Sequence, residues 1–280
     1  MKFDVHYMSG AGNLFSVLDG RKLTVSNEEW MGYAPILCGQ DGTHFRTEGL
    51  IILNEGAEIL DFEAEFFNPD GSHGAMCGNG GRCAVQFAKQ IVGLNRVKNF
   101  SFTMAGALYF AEMHGNNVRV HFPQPMEIQR ELRLESGEMT ITCDYVDVGS
   151  QHIVVDYAQL SPDADSFKIF DIERFAPPLR SHPKLAPRGA NVNVYSLQND
   201  KSIHLRTFER GVEAETGACG TGAISTALSL ILAEKAVSPV TLVPTSGTPI
   251  SVGWTEPTIL WLEGPAEFIG RTEIIIPNNV

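Results

Sequence analysis

Two cysteines stand in matched glycine-rich surroundings about half the chain apart, Met76-Cys77-Gly78-Asn79-Gly80 and Ala218-Cys219-Gly220-Thr221-Gly222. Each follows a phenylalanine and a polar turn, Phe67-Asn68-Pro69-Asp70-Gly71 in one case and Phe208-Glu209-Arg210-Gly211 in the other. Each precedes apolar residues at helical spacing, Ala84, Phe87, Ala88 and Ile91 before Gly93, and then Ile224, Ala227, Leu228 and Ile231. A cysteine at a helix start sits where unpaired N–H groups and the positive end of the helix dipole favour an anion, so its thiolate is more accessible at neutral pH. The glycines permit close backbone approach, and the N–H groups after both cysteines could together grip one carboxylate or phosphate. If the two halves face each other, the α-carbon of a bound carboxylate has a sulfur on either side. A thiolate on one face then takes an α-proton while a thiol on the other gives one back, inverting the centre without a redox step. Cysteine suits both roles because its ordinary pKa of about 8.5 lies near working pH. The carbanion places extra charge on the carboxylate, where the helix starts stabilise it more than in the ground state.

The elements that must position these residues repeat as well. Gly12-Asn13-Leu14-Phe15-Ser16-Val17 is echoed by Gly149-Ser150-Gln151-His152-Ile153-Val154 at nearly the same separation. Two related halves, with a boundary near Pro123-Gln124-Pro125, fit this pattern better than one large domain. Short runs rich in β-branched or aromatic residues predict strands at Leu50–Leu53, Phe62–Phe67, Val118–Phe122, Asn191–Tyr195, Ile203–Thr207 and Ile259–Leu262. The fold class expected is α+β with a predominantly antiparallel sheet. The proline-rich stretch from Phe175 through Pro177, Pro178 and Pro183 to Pro187 reads as an irregular surface connection.

Composition excludes several partners. The chain has 280 residues and a formal net charge of −12, with no run of Lys or Arg long enough to give a cationic footprint, so nucleic acid and anionic membrane surfaces are not expected. Hydrophobic residues at 43% and charged residues at 19% are ordinary for a globular chain of about two domains. The longest nearly apolar stretch, Ala223 to Ala233, is broken by Ser225, Thr226 and Ser229 and is too short to span a bilayer. Asp4 and His6 fall where a secretory signal needs its apolar core, and the odd set of five cysteines lacks the spacing of a disulfide scaffold, so a cytoplasmic protein with reduced thiols is expected.

At these residues the sequence resembles the diaminopimelate epimerases, which are amino-acid epimerases independent of pyridoxal phosphate. The likeness runs over most of the chain. It is anchored by Gly12-Asn13 with Phe15, by Phe67-Asn68-Pro69-Asp70-Gly71-Ser72 leading to Cys77-Gly78-Asn79-Gly80 and Arg82-Cys83, by His152 and Asn191-Val192, and by Glu209-Arg210-Gly211 leading to Glu215-Thr216 and Cys219-Gly220-Thr221-Gly222. Carried over residue by residue, the resemblance implies that Cys77 and Cys219 are the acid/base pair and that His152 and Glu209 tune the thiols and position the amino group. It implies that N–H groups of Gly78, Asn79, Gly220 and Thr221 hold the reacting carboxylate, and that Asn13, Asn68, Asn191 and Arg210 read the far end of the substrate. An arginine fits that role because its planar fork pairs with a carboxylate in two hydrogen bonds. It also implies two similar lobes, each a mostly antiparallel sheet wrapped around a central helix, with the active site in the cleft between them. The lobe carrying Cys77 would comprise 1–122 and 266–280, and the lobe carrying Cys219 would comprise 123–265. The implied reaction interconverts LL- and meso-diaminopimelate, with a small amino-acid substrate, no metal, no cofactor, and a homodimer as the expected assembly. Three departures stand out. Ser150 replaces an asparagine expected at the distal carboxylate in Gly149-Ser150-Gln151-His152, Leu14 replaces a usual aspartate, and Gly211–Thr216 is one residue longer than the commonest form.

Simpler readings compete at each position. A lone cysteine near a helix start is often a small buried hydrophobe, which is the reading for Cys38, Cys83 and Cys143; the matched pair argues otherwise for Cys77 and Cys219. His152 could be a satisfied buried histidine, Glu209-Arg210 a surface ion pair, and Asn13, Asn68 and Asn191 turn formers. Ser150 leaves open a racemase of the same mechanism acting on histidine or proline. A nucleotide-binding module is disfavoured by the absence of a P-loop lysine or a third fingerprint glycine. A reversible disulfide between Cys77 and Cys219 would be a liability of such a site rather than its purpose.

Overall fold

Phe62–Phe67 shows why strands form here: Phe62, Ala64 and Phe66 are buried while Glu63 and Glu65 point outward, the period of a half-covered sheet. Leu50-Ile51-Ile52-Leu53 is buried on both faces and belongs between two layers. The computed structural model describes residues 1–57, 59–74, 76–94, 98–255, 257 and 259–277. Its architecture is mixed α and β, mostly sheet with few helices. Contacts divide it into two compact units, Met1–Phe122 with Glu263–Val280, and Pro123–Leu262.

In the first unit Lys2–Gly10 pairs antiparallel with both Asn13–Asp19 and Glu267–Ile275. Leu50–Glu55 and Phe62–Phe67 pair antiparallel, as do Asn99–Met104, Ala107–His114 and Asn117–His121 in succession. In the second unit Met139–Asp147 lies antiparallel between Glu127–Ser136 and Gln151–Asp156. Asn191–Leu197 pairs antiparallel with Ile203–Glu209.

Among the described residues four α-helices interrupt this antiparallel order: α1 (Asn27–Leu37), α2 (Gly78–Gln90), α3 (Ile172–Arg180) and α4 (Gly220–Leu232). Each lies in the connection between two parallel strands. The pairs are Asn13–Asp19 with Leu50–Glu55, Phe62–Phe67 with Asn99–Met104, Gln151–Asp156 with Asn191–Leu197, and Ile203–Glu209 with Val240–Pro244. Parallel strands need a long crossover, and a helix supplies it. These pairs qualify the antiparallel expectation. Strand runs in the sequence carry no mark of direction, whereas the helices between them do.

The helices α2 and α4 are not stripes on a surface. In α2 every residue from Gly78 to Ala88 is buried, and the helix packs on Lys2–Gly10, Asn13–Asp19, Leu50–Glu55, Asn117–His121 and Glu267–Ile275. In α4, Gly220 and Gly222–Leu230 are buried against Met139–Asp147, Gln151–Asp156, Asn191–Leu197, Val240–Pro244 and Ile250–Thr255. A helix covered all round has little freedom to tilt, so its first turn is held firmly. Residues such as Phe87, Leu228 and Leu230 each add about 1.5–3 kcal/mol through burial.

The proline-rich stretch is a correction. Pro177 and Pro178 lie inside α3, although proline removes a hydrogen bond and crowds the preceding turn. Ile172, Ala176 and Leu179, spaced as one helical face, are buried in the core of the second unit, and Asp171 caps the first turn by accepting from the Arg174 N–H at 3.0 Å. Face burial and the cap outweigh the prolines. The helix α1 was not anticipated, although Ser26 and Glu29 form a capping box ahead of it. Replacing Asp171 by alanine should lower the stability of the second unit by about 1 kcal/mol in urea unfolding; an unchanged midpoint would show that the cap does not hold α3.

Candidate active site

Cys77 and Cys219 occupy the same backbone position. Each is the N-cap of its helix, with φ −105° and ψ 114° at Cys77 and φ −112° and ψ 114° at Cys219. At Cys77 that extended conformation brings the side chain over the first turn, whose N–H groups have no intrahelical acceptor, while Cys219 makes no side-chain cap hydrogen bond. The Cys77 Sγ accepts from the Gly80 N–H at 3.4 Å. Gly78 and Asn79 open α2, and Gly220 and Thr221 open α4.

Around Cys77 the structure adds a residue whose role sequence reasoning missed. Arg82, wholly buried, donates from Nη2 to Asn79 Oδ1 at 2.8 Å and from Nη1 to the Gly78 carbonyl at 3.3 Å. Burial pushes its pKa down to about 10, opposed by the Cys83 and Cys77 sulfurs, so it remains a cation beneath the turn that carries Cys77. Asn79 therefore braces Arg82 with its side chain. The signal was available as Arg82-Cys83, one turn after Cys77. Gly10 is required for packing here, since a Cβ on it would lie 2.6 Å from the Asn79 carbonyl oxygen. Asn13 is buried opposite Gly10 on the adjoining strand, and Asn68 donates from Nδ2 to Ser72 Oγ at 2.9 Å within its turn.

Around Cys219 a polar network converges. Glu209 ends its strand with its carboxyl accepting from the Thr216 hydroxyl and hydrogen-bonded to the Cys219 thiol. Burial pushes the Glu209 pKa up, and these two hydrogen bonds pull it back. On the other side, Thr221 Oγ1 lies 3.6 Å from Cys219 Sγ and 2.9 Å from His152 Nε2. The imidazole tautomer follows from its neighbours. Asn193 Nδ2 must donate to the Ile153 carbonyl at 3.0 Å while Thr207 Oγ1 donates to Asn193 Oδ1 at 3.0 Å, so the same Nδ2 faces His152 Nδ1 at 3.0 Å as a donor. This network assigns the proton to Nε2, which donates to Thr221 and leaves the threonine hydrogen for the Cys219 sulfur. Burial drives the His152 pKa down to about 3, the Asn193 contact notwithstanding. His152 is thus a neutral donor that orients Thr221. Gly222 permits the approach, because a Cβ there would meet Asn193 Oδ1 at 2.3 Å.

The remaining expected residues of the second unit also come together. Asn191 donates from Nδ2 to Ser150 Oγ at 3.0 Å and to the Gln151 carbonyl at 2.9 Å, and accepts the Arg210 backbone N–H at 2.8 Å. Asn193, Thr207, Thr216 and Gln151 were not anticipated. Asn193 reaches His152 across 41 residues and Gln151 reaches Arg210 across 59, so strand register brings these pairs together, whereas Thr216 meets Glu209 only seven residues away. The cysteines expected to pack do so: Cys38, Cys83 and Cys143 are buried, and burial pushes their thiols up, to about 11 for Cys38 and about 12 for Cys143. Among the described residues there is no cluster of three His, Cys, Asp or Glu able to hold a metal, and no helix is long and apolar enough to cross a membrane.

No protein-family model matches the chain. A phenazine biosynthesis protein of the PhzF family from Bacillus anthracis superposes with a TM-score of 0.75 at 16% identity, over 99% of this chain and 100% of that one. A hydroxyproline epimerase from Agrobacterium vitis, solved with bound trans-4-hydroxy-L-proline, superposes with a TM-score of 0.67 at 16% identity, over 98% and 91%. At such identities the likeness is one of fold, and it places the chain in the structural class that these proteins share. Sequence is more specific. A diaminopimelate epimerase from Chlorobaculum tepidum is 35% identical over 275 residues, covering 96% of this chain and 100% of the relative. The chain belongs to the diaminopimelate epimerase family and is an isomerase.

The neutral His152 has a thermodynamic consequence. Its pKa is depressed on folding, from about 6.5 to about 3, so the unfolded chain takes up a proton first as pH falls. Stability from this residue is complete above the unfolded value and lost progressively below it. The urea midpoint of the wild type should therefore fall relative to that of His152→Gln between pH 7 and pH 4; a constant difference would contradict a buried neutral imidazole.

Proposed function

We propose that this chain interconverts LL- and meso-diaminopimelate, with Cys77 and Cys219 exchanging protons at one α-carbon without pyridoxal phosphate or a metal. The product would feed lysine and peptidoglycan-precursor synthesis. The observation that carries the proposal is the identical N-cap placement of the two cysteines, each at the head of a buried helix, in a chain of this family.

In this reading the two units are lobes that close on one substrate. N–H groups of Gly78, Asn79, Gly220 and Thr221 receive the reacting carboxylate. One thiolate removes the α-proton and becomes a thiol; the electron pair left on carbon delocalises into the carboxylate; the opposite thiol donates its proton and becomes a thiolate. No electrons leave the system. The first-turn N–H groups oppose the charge that builds on the carboxylate oxygens, so they bind the transition state more tightly than the substrate. Glu209 accepts from the Cys219 thiol, and Thr221, oriented by His152, donates to the thiolate, which serves both protonation states of one sulfur. Asn13, Asn68, Asn191, Ser150 and Arg210 would discriminate at the far end of the substrate.

Cys77→Ala and Cys219→Ala should each lower turnover of LL-diaminopimelate by about 10³-fold, within the range of a lost acid or base. Full epimerisation by either variant contradicts the two-thiol mechanism. Ser150 supports a second reading, in which the same chemistry acts on a histidine- or proline-type amino acid, since a serine is shorter and offers one donor where the family has an amide. Assay of single enantiomers of diaminopimelate, histidine and proline separates the two: turnover of diaminopimelate alone favours the first.

A further inference from the structure

Arg210 is held in an asymmetric way. Its Nη1 donates to Gln151 Oε1 at 3.0 Å and to the Arg188 carbonyl at 3.2 Å, which uses both hydrogens of that nitrogen. Among the described residues, no hydrogen bond or ion pair engages its Nε or Nη2. The same chain shows what that edge does elsewhere. Arg206 grips Glu215 with Nε and Nη2 at 2.7 and 2.6 Å, and Arg21 grips Asp19 with the same two nitrogens at 2.9 and 2.8 Å. Pinning Nη1 on Arg210 leaves its carboxylate-binding edge presented to a ligand.

The pin has a defined polarity. Gln151 is buried, and its Nε2 donates to Asp147 Oδ2 at 2.8 Å, while Asp147 Oδ1 accepts the Gly149 N–H at 2.9 Å. Gln151 and Asp147 are register partners on adjacent antiparallel strands, so the contact is built into the sheet. A carboxylate can only accept and a guanidinium can only donate. The amide between them is therefore locked in one orientation, oxygen toward the arginine. Asn191 fixes the other end of the same residue by accepting its backbone N–H.

We propose that Gln151, oriented by Asp147, is a positioning residue that sets Arg210 to receive the distal carboxylate of the substrate, in a site where Ser150 replaces the usual asparagine. This rests on the diaminopimelate reading of the site. Gln151 need not touch the substrate. It acts by fixing which face of the guanidinium the substrate meets.

Two variants test this. Gln151→Leu removes the acceptor. Asp147→Asn keeps an oxygen for the Gly149 N–H but sets an amide NH₂ against Gln151 Nε2, which turns the glutamine and brings a donor up to Arg210. The second change preserves shape, so a merely packing role for Gln151 would not register it. Steady-state epimerisation of LL-diaminopimelate should show KM raised about tenfold or more in both variants, with kcat within about twofold of wild type, as expected for a lost charge-assisted contact acting on substrate binding. Wild-type KM in Asp147→Asn overturns the positioning role while leaving the family activity standing. No turnover of diaminopimelate by the wild type overturns the inference together with the substrate assignment, and the two failures are thereby distinguished.

Discussion

A sulfur held over the first turn of a covered helix is the interaction on which the rest of the structure depends. At the N-cap of α2 the Cys77 sulfur accepts from a first-turn N–H that the helix cannot satisfy, and at both helix starts the macrodipole adds positive potential worth roughly 0.3–2 kcal/mol for an anion. That advantage is usable only if the turn stays fixed. The burial of α2 from Gly78 to Ala88 and of α4 from Gly222 to Leu230 keeps it so. The glycines then have a specific reason: Gly10 lets a strand pass against Asn79, and Gly222 lets α4 start against Asn193 and Thr207.

The polar groups behind Cys219 show how a buried network can serve chemistry without adding charge. A buried donor or acceptor without a partner costs about 1–3 kcal/mol, so such groups must be matched. Asn193 matches its oxygen to Thr207 and its amide to Ile153 and His152, which leaves the imidazole one proton, aimed at Thr221. Asn191, two residues earlier on the same face of the strand, serves Ser150, Gln151 and Arg210 in the same manner. One strand thus orients both the His152 imidazole and the Arg210 backbone.

Much of the arrangement was legible in the sequence because it is local. The helix starts at Cys77 and Cys219 and the apolar spacing behind them are set by neighbours within a turn or two. What was not legible depends on register. Asn193 meets His152 from 41 residues away, and Gln151 meets Arg210 from 59, through strand pairings that hydrophobic patterning does not encode. The parallel pairs were hidden for the same reason, although each is bridged by a helix. The prolines of α3 misled in the other direction, because local propensity lost to the burial of Ile172, Ala176 and Leu179. Arg82 was visible as a residue but not as a buried cation, since nothing in composition tells which arginine folds inward.

In the proposed mechanism the proton lost and the proton gained belong to different sulfurs. The direct measurement is early-time mass spectrometry of LL-diaminopimelate turned over in D₂O, with the two isomers separated before analysis. The meso product should carry one deuterium while the remaining LL substrate stays unlabelled, because return from the first thiol restores the original proton and the second thiol delivers one from solvent. Unlabelled product, or equal labelling of both isomers from the first turnovers, would contradict the assignment of acid and base to Cys77 and Cys219.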